Sequence, residues 1–299
     1  MRVLLTGGSG QLGKEIFYLK PKEIEIFQPS KLELNLLSKD SCLEAILKYK
    51  PDWIINCAAY TNVDKAELEK DLAFQINSLA PKYIANAIKK YGGNFLHIST
   101  DYVFDGLKGS PYKPNDPKSP INQYGYTKAK GEDFITEILS DSNKVNIIRT
   151  SWLLSPYGKN FALTIIKKLN EVKELKIISD QVGSPTTTSI LAEACWQTIL
   201  LKSQGIEIPF ILHCTNSGTA SWYDLAISIE EIGRKLNLFD KRINILPIKS
   251  EEYPTAAKRP SYSVLDSSDS LKKLFIKPIT WRTAILNLLD EFRNKSFIK

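Results

Sequence analysis

Tyr124 and Lys128 are the residues of this sequence whose types and spacing best suit proton transfer. They lie four apart within Asn122-Gln-Tyr-Gly-Tyr-Thr-Lys-Ala-Lys-Gly-Glu132. In a helix, residues four apart share one face. A free phenol loses its proton near pH ~10, and a nearby ammonium group lowers that pKa. A tyrosine tuned in this way acts as a general acid or base. Ordinary amphipathic helices show the same spacing, so the assignment depends on the surrounding elements.

A glycine-rich segment near the N-terminus predicts a dinucleotide site. Residues 3–5 are apolar and predict a strand, and Thr6-Gly-Gly-Ser-Gly-Gln-Leu-Gly13 follows them. A predicted helix then reaches about Leu19, and residues 24–27 predict a second strand. Glycine permits the tight turn and lets backbone N–H groups approach a pyrophosphate at a helix N-terminus.

The end of the second strand bears on the choice of cofactor. It continues into Gln28-Pro-Ser-Lys31. Dinucleotide folds often place a carboxylate here to hold the ribose 2′-OH, but this chain offers Ser30 and Lys31, which could contact a 2′-phosphate. The sequence therefore favours NADPH and leaves NADH possible.

Later strands repeat the strand–helix alternation up to about residue 152. Apolar runs predict strands over 52–59, 94–100 and 145–152, the first ending in Ala58 and Ala59. The 94–100 strand runs into polar residues, at the edge where open α/β sheets bind ligands. We expect a doubly wound, mostly parallel α/β sheet. We interpret His97, within an apolar strand, as a core residue.

One predicted helix contains a proline. The helix spans 74–91 and carries Asn77, and Pro81 lies inside it. Because proline removes a backbone donor, we expect a kink or a break there.

The second half is less regular. The predicted elements are helices over 159–171, 188–201, 221–238 and 279–292, and strands over 176–179, 210–214 and 243–248. Thr219 or Ser221 is a plausible N-cap for the third of these helices. We expect a Rossmann domain over 1–152, with returning segments at about 181–214, and a smaller α/β substrate domain built largely from 153–299.

Composition excludes several classes of protein. We find no apolar run long enough to span a bilayer and no signal-peptide pattern, so we expect a cytoplasmic protein without a membrane partner. The net charge of +7 comes without a basic block, so no nucleic-acid partner is expected. Four scattered cysteines and two histidines make a zinc site improbable. We expect these thiols to be buried small hydrophobes.

The motifs in order resemble extended short-chain dehydrogenase/reductases, and most closely the dTDP-4-dehydrorhamnose reductase family. The resemblance runs nearly end to end. Its motifs are Thr6-Gly-Gly-Ser-Gly-Gln-Leu-Gly-Lys-Glu15, Asn56-Cys-Ala-Ala-Tyr-Thr-Asn-Val-Asp-Lys-Ala-Glu67, Ser99-Thr-Asp-Tyr-Val-Phe-Asp-Gly106, Tyr124-Gly-Tyr-Thr-Lys-Ala-Lys-Gly-Glu132, Arg149-Thr-Ser-Trp152, Asp180-Gln-Val-Gly-Ser-Pro-Thr186 and Lys258-Arg-Pro-Ser-Tyr-Ser263.

The resemblance implies NADPH-dependent reduction of the 4-keto group of dTDP-4-dehydro-L-rhamnose to dTDP-L-rhamnose. It implies a catalytic triad of Thr100, Tyr124 and Lys128. Tyr124 would donate the proton, and Thr100 would hydrogen-bond the developing oxyanion. Lys128 would lower the Tyr124 pKa and hold the nicotinamide ribose.

The residue patterns and the family resemblance together predict which residues contact the cofactor and the substrate. Those expected for the cofactor are Gly7, Gly10, Gln11, Leu12, Gly13, Ser30, Lys31, Glu33, Leu34, Ala58, Ala59, Tyr60, Asn77, Tyr124 and Lys128. Those expected for the substrate are Val63, Asp101, Tyr102, Trp152 and Arg259, with Lys258 or Arg259 meeting the diphosphate.

Two departures from the family pattern leave questions open. The chain has Glu33-Leu34 where the family commonly has aspartate before a hydrophobic residue, which affects the adenine contact. Glu15 matches an early glutamate that holds Mg²⁺ at a dimer contact in some members, but its partner carboxylates cannot be matched. Mg²⁺ and a homodimer are therefore possible but unsupported.

Two alternatives remain. The first is another nucleotide-sugar reductase, epimerase or dehydratase of the superfamily, although the latter two need acid/base groups beside the triad. The second is a non-catalytic NADP-binding subunit similar to the regulatory subunit of methionine adenosyltransferase. Turnover of a 4-keto sugar distinguishes them.

Overall fold

The computed structural model describes residues 1–140, 143–239 and 243–296. Parts of both expected domains therefore lie outside the described residues, namely 141–142, 240–242 and 297–299. The strands are β1 Arg2–Thr6, β2 Glu25–Phe27, β3 Trp53–Asn56, β4 Asn94–Thr100, β5 Val145–Thr150, β6 Leu153–Leu154, β7 Glu174–Ile178, β8 Val182–Gly183, β9 Thr186–Thr187, β10 Ile211–His213, β11 Ala220–Ser221 and β12 Asn244–Ile248.

The helices include most of those predicted. They are α1 Gln11–Tyr18, α2 Lys39–Tyr49, α3 Val63–Ala66, α4 Lys70–Phe74, α5 Ala80–Tyr91, α6 Gln123–Leu139, α7 Phe161–Glu171, α8 Thr188–Ser203, α9 Trp222–Lys235, α10 Ser268–Lys273 and α11 Trp281–Ser296. Among the helices of the described residues, none combines the length and apolar character needed to cross a membrane.

A parallel sheet forms the centre of the molecule. Its strand order is β2-β1-β3-β4-β5-β10, and all neighbouring strands are parallel. From β1, the chain adds β2 on one side and β3, β4, β5 and β10 on the other. The order therefore reverses between β1 and β3, and at such a point the carboxyl ends of the strands form a crevice for a ligand.

Helices cover both faces of this sheet. Leu12 of α1, Leu191 of α8 and Leu271 of α10 are buried in one core cluster. Ile84 of α5 and Ile135 of α6 are buried in the cluster on the other face. This arrangement confirms the expected doubly wound Rossmann fold.

A second, smaller α/β layer lies beyond the main sheet. Its core packs α7, α9 and α11 against the parallel strand pair β7 and β12. Of the two predicted N-caps, the structure uses Ser221, whose hydroxyl accepts from the Asp224 N–H at 3.0 Å in a capping box. The predicted return to the main sheet includes α8 and β10, and α10 joins them. The exact domain boundaries stay a prediction.

Pro81 marks a change of helical geometry. A π-helical turn, Gln75–Leu79, separates α4 from α5, and Pro81 lies in the first turn of α5. The backbone stays helical from Phe74 to Ala80, so the chain changes its helical type before Pro81 and does not break there; the proline lacks the donor that a regular α-helix needs. The turn also anchors α6, because Asn77 Nδ2 donates to Thr127 Oγ1 at 3.1 Å and Ser78 Oγ donates to the Thr127 carbonyl at 2.7 Å.

A buried ion pair fixes α6 to β5. Arg149 donates from Nη2 and Nε to the two carboxylate oxygens of Glu132, at 2.7 and 2.9 Å, and both side chains are 1% exposed. Arg149 Nη1 also donates to the Pro114 carbonyl at 3.1 Å. Burial acts to raise the pKa of Glu132, but the Arg149 guanidinium outweighs it and holds that pKa below its usual value.

We expect Arg149→Leu to destabilise the protein strongly, because it leaves the Glu132 carboxylate buried without its main partner. Breaking a buried pair in this way costs about 3–5 kcal/mol, which urea-induced unfolding would measure. The control is Lys168→Ala, which removes a half-exposed ion pair with Glu171 and should change the free energy of unfolding by less than about 1 kcal/mol. An Arg149→Leu protein as stable as the control would contradict this account.

Candidate active site

A large cavity opens at the carboxyl ends of β1, β3 and β4, where the strand order reverses. Its volume is about 1320 Å³, and its lining runs from the glycine-rich loop to Trp222 of the second layer. The third and fifth strands end earlier than predicted, at Asn56 and Thr150. The residues that follow them turn into the cavity lining instead of continuing the ladder.

The glycine-rich loop fits a pyrophosphate. Gly7 has a φ of +70°, and a Cβ there would lie 2.7 Å from the Ala58 nitrogen. A Cβ on Gly13 would lie 2.3 Å from the Gly7 carbonyl oxygen. Among the described residues, no side chain caps the N-terminus of α1. The first N–H groups of α1 are therefore available to an anion.

Most residues predicted for the cofactor line this cavity. They are Gly7, Gly10, Gln11, Leu12, Gly13, Ser30, Lys31, Leu34, Ala58, Ala59, Tyr124 and Lys128.

Glu33, Tyr60 and Asn77 lie outside the lining. Glu33 accepts a hydrogen bond from the Ser30 N–H at 2.9 Å, and this bond lowers the pKa of its carboxyl group. Asn77 bonds the Tyr60 backbone twice, accepting from its N–H at 2.8 Å and donating to its carbonyl at 3.0 Å. In this structure, Glu33 and Asn77 shape the backbone beside the cavity.

The three residues of the predicted triad meet on one wall. Thr100 ends β4, and Tyr124 is the second residue of α6. Asn122 caps this helix by accepting from the Gly125 N–H at 2.8 Å. Burial raises the pKa of Tyr124 to about 12, although a hydrogen bond with Thr100 acts in the opposite direction. The phenol therefore keeps its proton at neutral pH.

Lys128 differs from the sequence prediction in one respect. Its Nζ lies 2.6 Å from the Ile98 carbonyl oxygen, to which it donates, and 3.2 Å from His97 Nε2. Its contacts are thus with β4, whereas the shift of the Tyr124 pKa comes from burial, Thr100 and Asp101. Burial lowers the pKa of Lys128 itself to about 8. The expected lowering of the Tyr124 pKa by Lys128 is not found in this structure.

Asp101 orients the triad threonine. Thr100 Oγ1 donates to Asp101 Oδ1 at 2.9 Å and accepts from the Tyr102 N–H at 3.3 Å. Burial raises the pKa of Asp101 to about 7, against hydrogen bonds from Ser263 and Thr100. A buried carboxyl group that titrates near neutrality thus adjoins the Thr100 hydroxyl.

The residues predicted for the substrate fall into two groups. Val63, Asp101, Tyr102 and Trp152 line the cavity. Arg259 lies outside the lining, where it donates to the Asp64 carboxylate from both Nη2 and Nη1, at 2.6 and 3.2 Å.

Two stacked tryptophans line the cavity beside the second layer. Only one of them, Trp152, was predicted from the sequence. Trp152 lies on Trp222 with ring centroids 3.5 Å apart and planes 3° apart. Trp152 also has a φ of +45°, an uncommon conformation for a large side chain. Trp222 opens α9, and its place in the sequence gives no sign that the chain returns it to this wall.

The lining residues Lys159 and Asn160 were also missed. Asn160 Nδ2 donates to Gln11 Oε1 at 2.9 Å, and Gln11 Nε2 donates to the Lys159 carbonyl at 3.2 Å. Asn160 is also the N-cap of α7, accepting from the Leu163 N–H at 3.1 Å. An asparagine before an apolar periodic run signals the cap, but its contact with the glycine-rich loop has no local signal.

The residues that could hold a metal ion and the cysteines were both subjects of the sequence prediction. Across the described residues, no group of three or more His, Cys, Asp or Glu side chains could hold a metal ion. Mg²⁺ dependence and a homodimer stay predictions. All four cysteines are free thiols, and Cys42, Cys195 and Cys214 are buried as expected, while Cys57 is partly exposed.

Known proteins resemble this chain along its whole length. The spore coat polysaccharide biosynthesis protein SpsK of Bacillus subtilis is 40% identical over 97% of each chain. A dTDP-4-dehydrorhamnose reductase of Aggregatibacter actinomycetemcomitans is 36% identical over 96% of this chain and 98% of its own. A solved dTDP-4-dehydrorhamnose reductase of Bacillus anthracis, in complex with NADP, has a TM-score of 0.86 and 34% identity, covering 97% of this chain and 99% of its own.

A model of one protein family also matches. The model described as RmlD substrate binding domain covers residues 1–294. The match spans nearly the whole chain. A relative named dTDP-4-dehydrorhamnose reductase is more than 30% identical and aligns over almost the full length of both chains. The chain therefore belongs to the dTDP-4-dehydrorhamnose reductase family.

Proposed function

We propose that the protein reduces the 4-keto group of dTDP-4-dehydro-L-rhamnose with NADPH and forms dTDP-L-rhamnose. The observation that carries this proposal is the position of Thr100, Tyr124 and Lys128 on one wall of a cavity that begins at a glycine-rich loop. The reductase name of the relatives supports the substrate, and the relative solved with NADP supports the cofactor. The four free cysteines support a cytoplasmic location, since disulfides form in oxidising compartments.

The cavity residues divide into those that hold the cofactor and those that serve the substrate. The N–H groups at the start of α1 would bind the pyrophosphate, and Ser30 and Lys31 would meet the 2′-phosphate. Lys128 would hold the nicotinamide ribose. The cofactor, when bound, supplies the hydride for the carbonyl carbon.

The chain itself supplies the proton and the oxyanion contacts. Tyr124 is protonated at neutral pH, because burial keeps its pKa high, and it donates its proton to the substrate oxygen. The Thr100 hydroxyl donates to Asp101 in this structure, and the substrate oxygen would compete with that carboxylate for it. Once its hydrogen turns from Asp101 to the substrate oxygen, the Thr100 hydroxyl would stabilise the developing negative charge.

Substitution of the proton donor tests the proposal. We expect Tyr124→Phe to lower kcat by about 10²–10⁴-fold, the usual contribution of a general acid. Oxidation of NADPH with dTDP-4-dehydro-L-rhamnose would be followed by absorbance, and NADPH binding by fluorescence. The matched control is Tyr126→Phe, since Tyr126 is on the same helix, is 43% exposed, and should keep full activity.

The possible outcomes separate the alternatives. Activity that survives in Tyr124→Phe would overturn the role of Tyr124 while leaving the reaction. NADPH binding by the wild-type protein without any oxidation would reject this substrate and favour another sugar or a regulatory role.

The cofactor preference depends on Lys31. We expect Lys31→Ala to raise the KM for NADPH by up to about fivefold, because an exposed ion pair of up to about 1 kcal/mol with the 2′-phosphate is lost, and to leave the KM for NADH unchanged. Steady-state kinetics with both cofactors would measure this difference. Lys22→Ala, an exposed lysine away from the cavity, is the control, and equal effects on both cofactors would contradict the assignment.

The rate of reduction should depend on the charge of Lys128. We expect kcat/KM to fall as the pH rises through about 8, the pKa to which burial lowers Lys128, because the ammonium group is lost while Tyr124 stays protonated. A pH profile of kcat/KM, which reports the groups of the free enzyme, would show one basic limb in this range. Lys128→Met should retain a low rate without that limb, and a limb that persists in this variant would assign it to another group.

A further inference from the structure

A chain of buried polar side chains connects Lys128 to Thr6, and both of these residues line the cavity. Lys128 Nζ lies 3.2 Å from His97 Nε2, and His97 Nδ1 lies 3.0 Å from Asn56 Nδ2. Asn56 Oδ1 accepts from Thr6 Oγ1 at 2.5 Å. His97 is 0% exposed, and Asn56, Lys128 and Thr6 are at most 3% exposed. The chain therefore links Lys128 to the strand end that carries the glycine-rich loop.

The imidazole of His97 is neutral. Burial, and then the charge of Lys128, hold the His97 pKa well below its usual value. A neutral imidazole has one nitrogen that donates and one that accepts. Each ring nitrogen of His97 has one partner in this chain, so the charge of Lys128 and the tautomer of His97 are coupled.

Two arrangements satisfy this coupling. An uncharged lysine has a lone pair and can accept from Nε2, so the observed bond from Thr6 to Asn56 Oδ1 selects the tautomer. Asn56 Nδ2 then donates to Nδ1, and His97 donates from Nε2 to the amine. With a charged lysine, all hydrogens on Nζ are donors, so Nε2 must accept. Nδ1 then carries the proton and donates to the amide oxygen of Asn56 after a half-turn of that amide.

We propose that His97 is a positioning residue that holds Lys128 against β4 in both of its charge states by exchanging one tautomer for the other, with Asn56 rotating to match. The proposal rests on the proposed role of Lys128 in reduction. Lys128 stays bonded to the Ile98 carbonyl in either state, so the side chain keeps its place while its charge changes. Such a device keeps the lysine nitrogen and both ring nitrogens paired in either state, since an unpaired buried polar group is costly.

The other ionisable groups near Lys128 do not replace His97 in this role. Glu132 lies one turn further along α6 and is paired with Arg149. Cys57, after β3, has a pKa raised by burial and stays a neutral thiol. Tyr124 also lines the cavity and keeps its proton, because burial raises its pKa. Lys128 is thus the group that titrates next to the ring.

Nitrogen-15 NMR of the imidazole rings in the full-length protein without ligands tests the coupling directly. The chain has two histidines, and the spectrum of His97→Gln identifies which signals belong to His213. We expect His97 to stay neutral from pH 6 to 10 while its proton moves from Nδ1 to Nε2 as the pH passes about 8, where Lys128 titrates. This measurement does not depend on any substrate.

His213 provides an internal control in the same spectrum. Its Nδ1 lies 3.1 Å from the Tyr112 carbonyl oxygen, which can only accept, so its tautomer should stay fixed throughout. A His97 tautomer that also stays fixed across the titration, or a His97 imidazolium, would overturn the proposal even if the reductase activity is confirmed.

Kinetics of variants test the consequence for reduction. His97→Leu removes the acceptor for the ammonium group, which disfavours the charged lysine, so the basic limb of kcat/KM should move down by about one pH unit. In His97→Gln, the amide can turn either its oxygen or its nitrogen towards Lys128. It can therefore pair with both charge states of the lysine, and the limb should return to its wild-type position.

A structural role alone would give a different pattern. Leu96→Ala, on the same strand but buried in the core cluster of the opposite sheet face, should lower thermal stability without moving the limb. A folded His97→Leu protein whose limb coincides with that of the wild type would refute the positioning role. If no sugar is reduced, the proposed function fails, and the NMR titration still decides the coupling.

Discussion

Burial of three charged side chains, two on α6 and one on β5, is the constraint on which the site depends. Lys128 and Glu132 are one turn apart on α6 and are 2% and 0% exposed. Arg149 neutralises Glu132 with two hydrogen bonds, and the backbone of β4 accepts from Lys128. Buried charges tolerate few alternative geometries, because each lost partner leaves an ion in a poor solvent. This requirement fixes the rotation of α6 and hence the direction of Tyr124.

Local patterns predicted much of the fold and the site. Three predicted features are present in the structure: the glycine-rich loop, the βα alternation to residue 152 and the Ser221 cap. Each depends on residues that are close together in the sequence, so a local pattern was enough to predict it. The helix α2 was not predicted, although Ser38 is a suitable N-cap and accepts from the Ser41 N–H. Its apolar residues extend beyond the buried face, since Leu47 is 44% exposed, so the contrast between its two faces is weak.

The features of the site that were not predicted depend on contacts between residues that are far apart in the chain. His97 has an apolar neighbourhood in sequence, and its burial was predicted correctly, but its contact with Lys128 joins residues 31 apart. The expected effect of Lys128 on Tyr124 assumed that helical spacing decides the partner. In the structure Lys128 donates to the carbonyl of Ile98, and no spacing rule includes a strand that packs beside the helix. Trp222 reaches Trp152 for a similar reason, through the fold of the second layer.

The hydrogen bonds between Gln11 and the start of α7 have a consequence for how the two ligands affect each other. Gln11 opens α1 at the glycine-rich loop, and its side chain bonds Asn160 and the Lys159 carbonyl of the second layer. One ligand would rest against the loop and the other against the second layer. By thermodynamic linkage, any change that the first makes in this contact alters the affinity for the second, and the second alters the affinity for the first by the same factor. The strength of the coupling between the two ligands is then a property of a few hydrogen bonds that touch neither reacting atom.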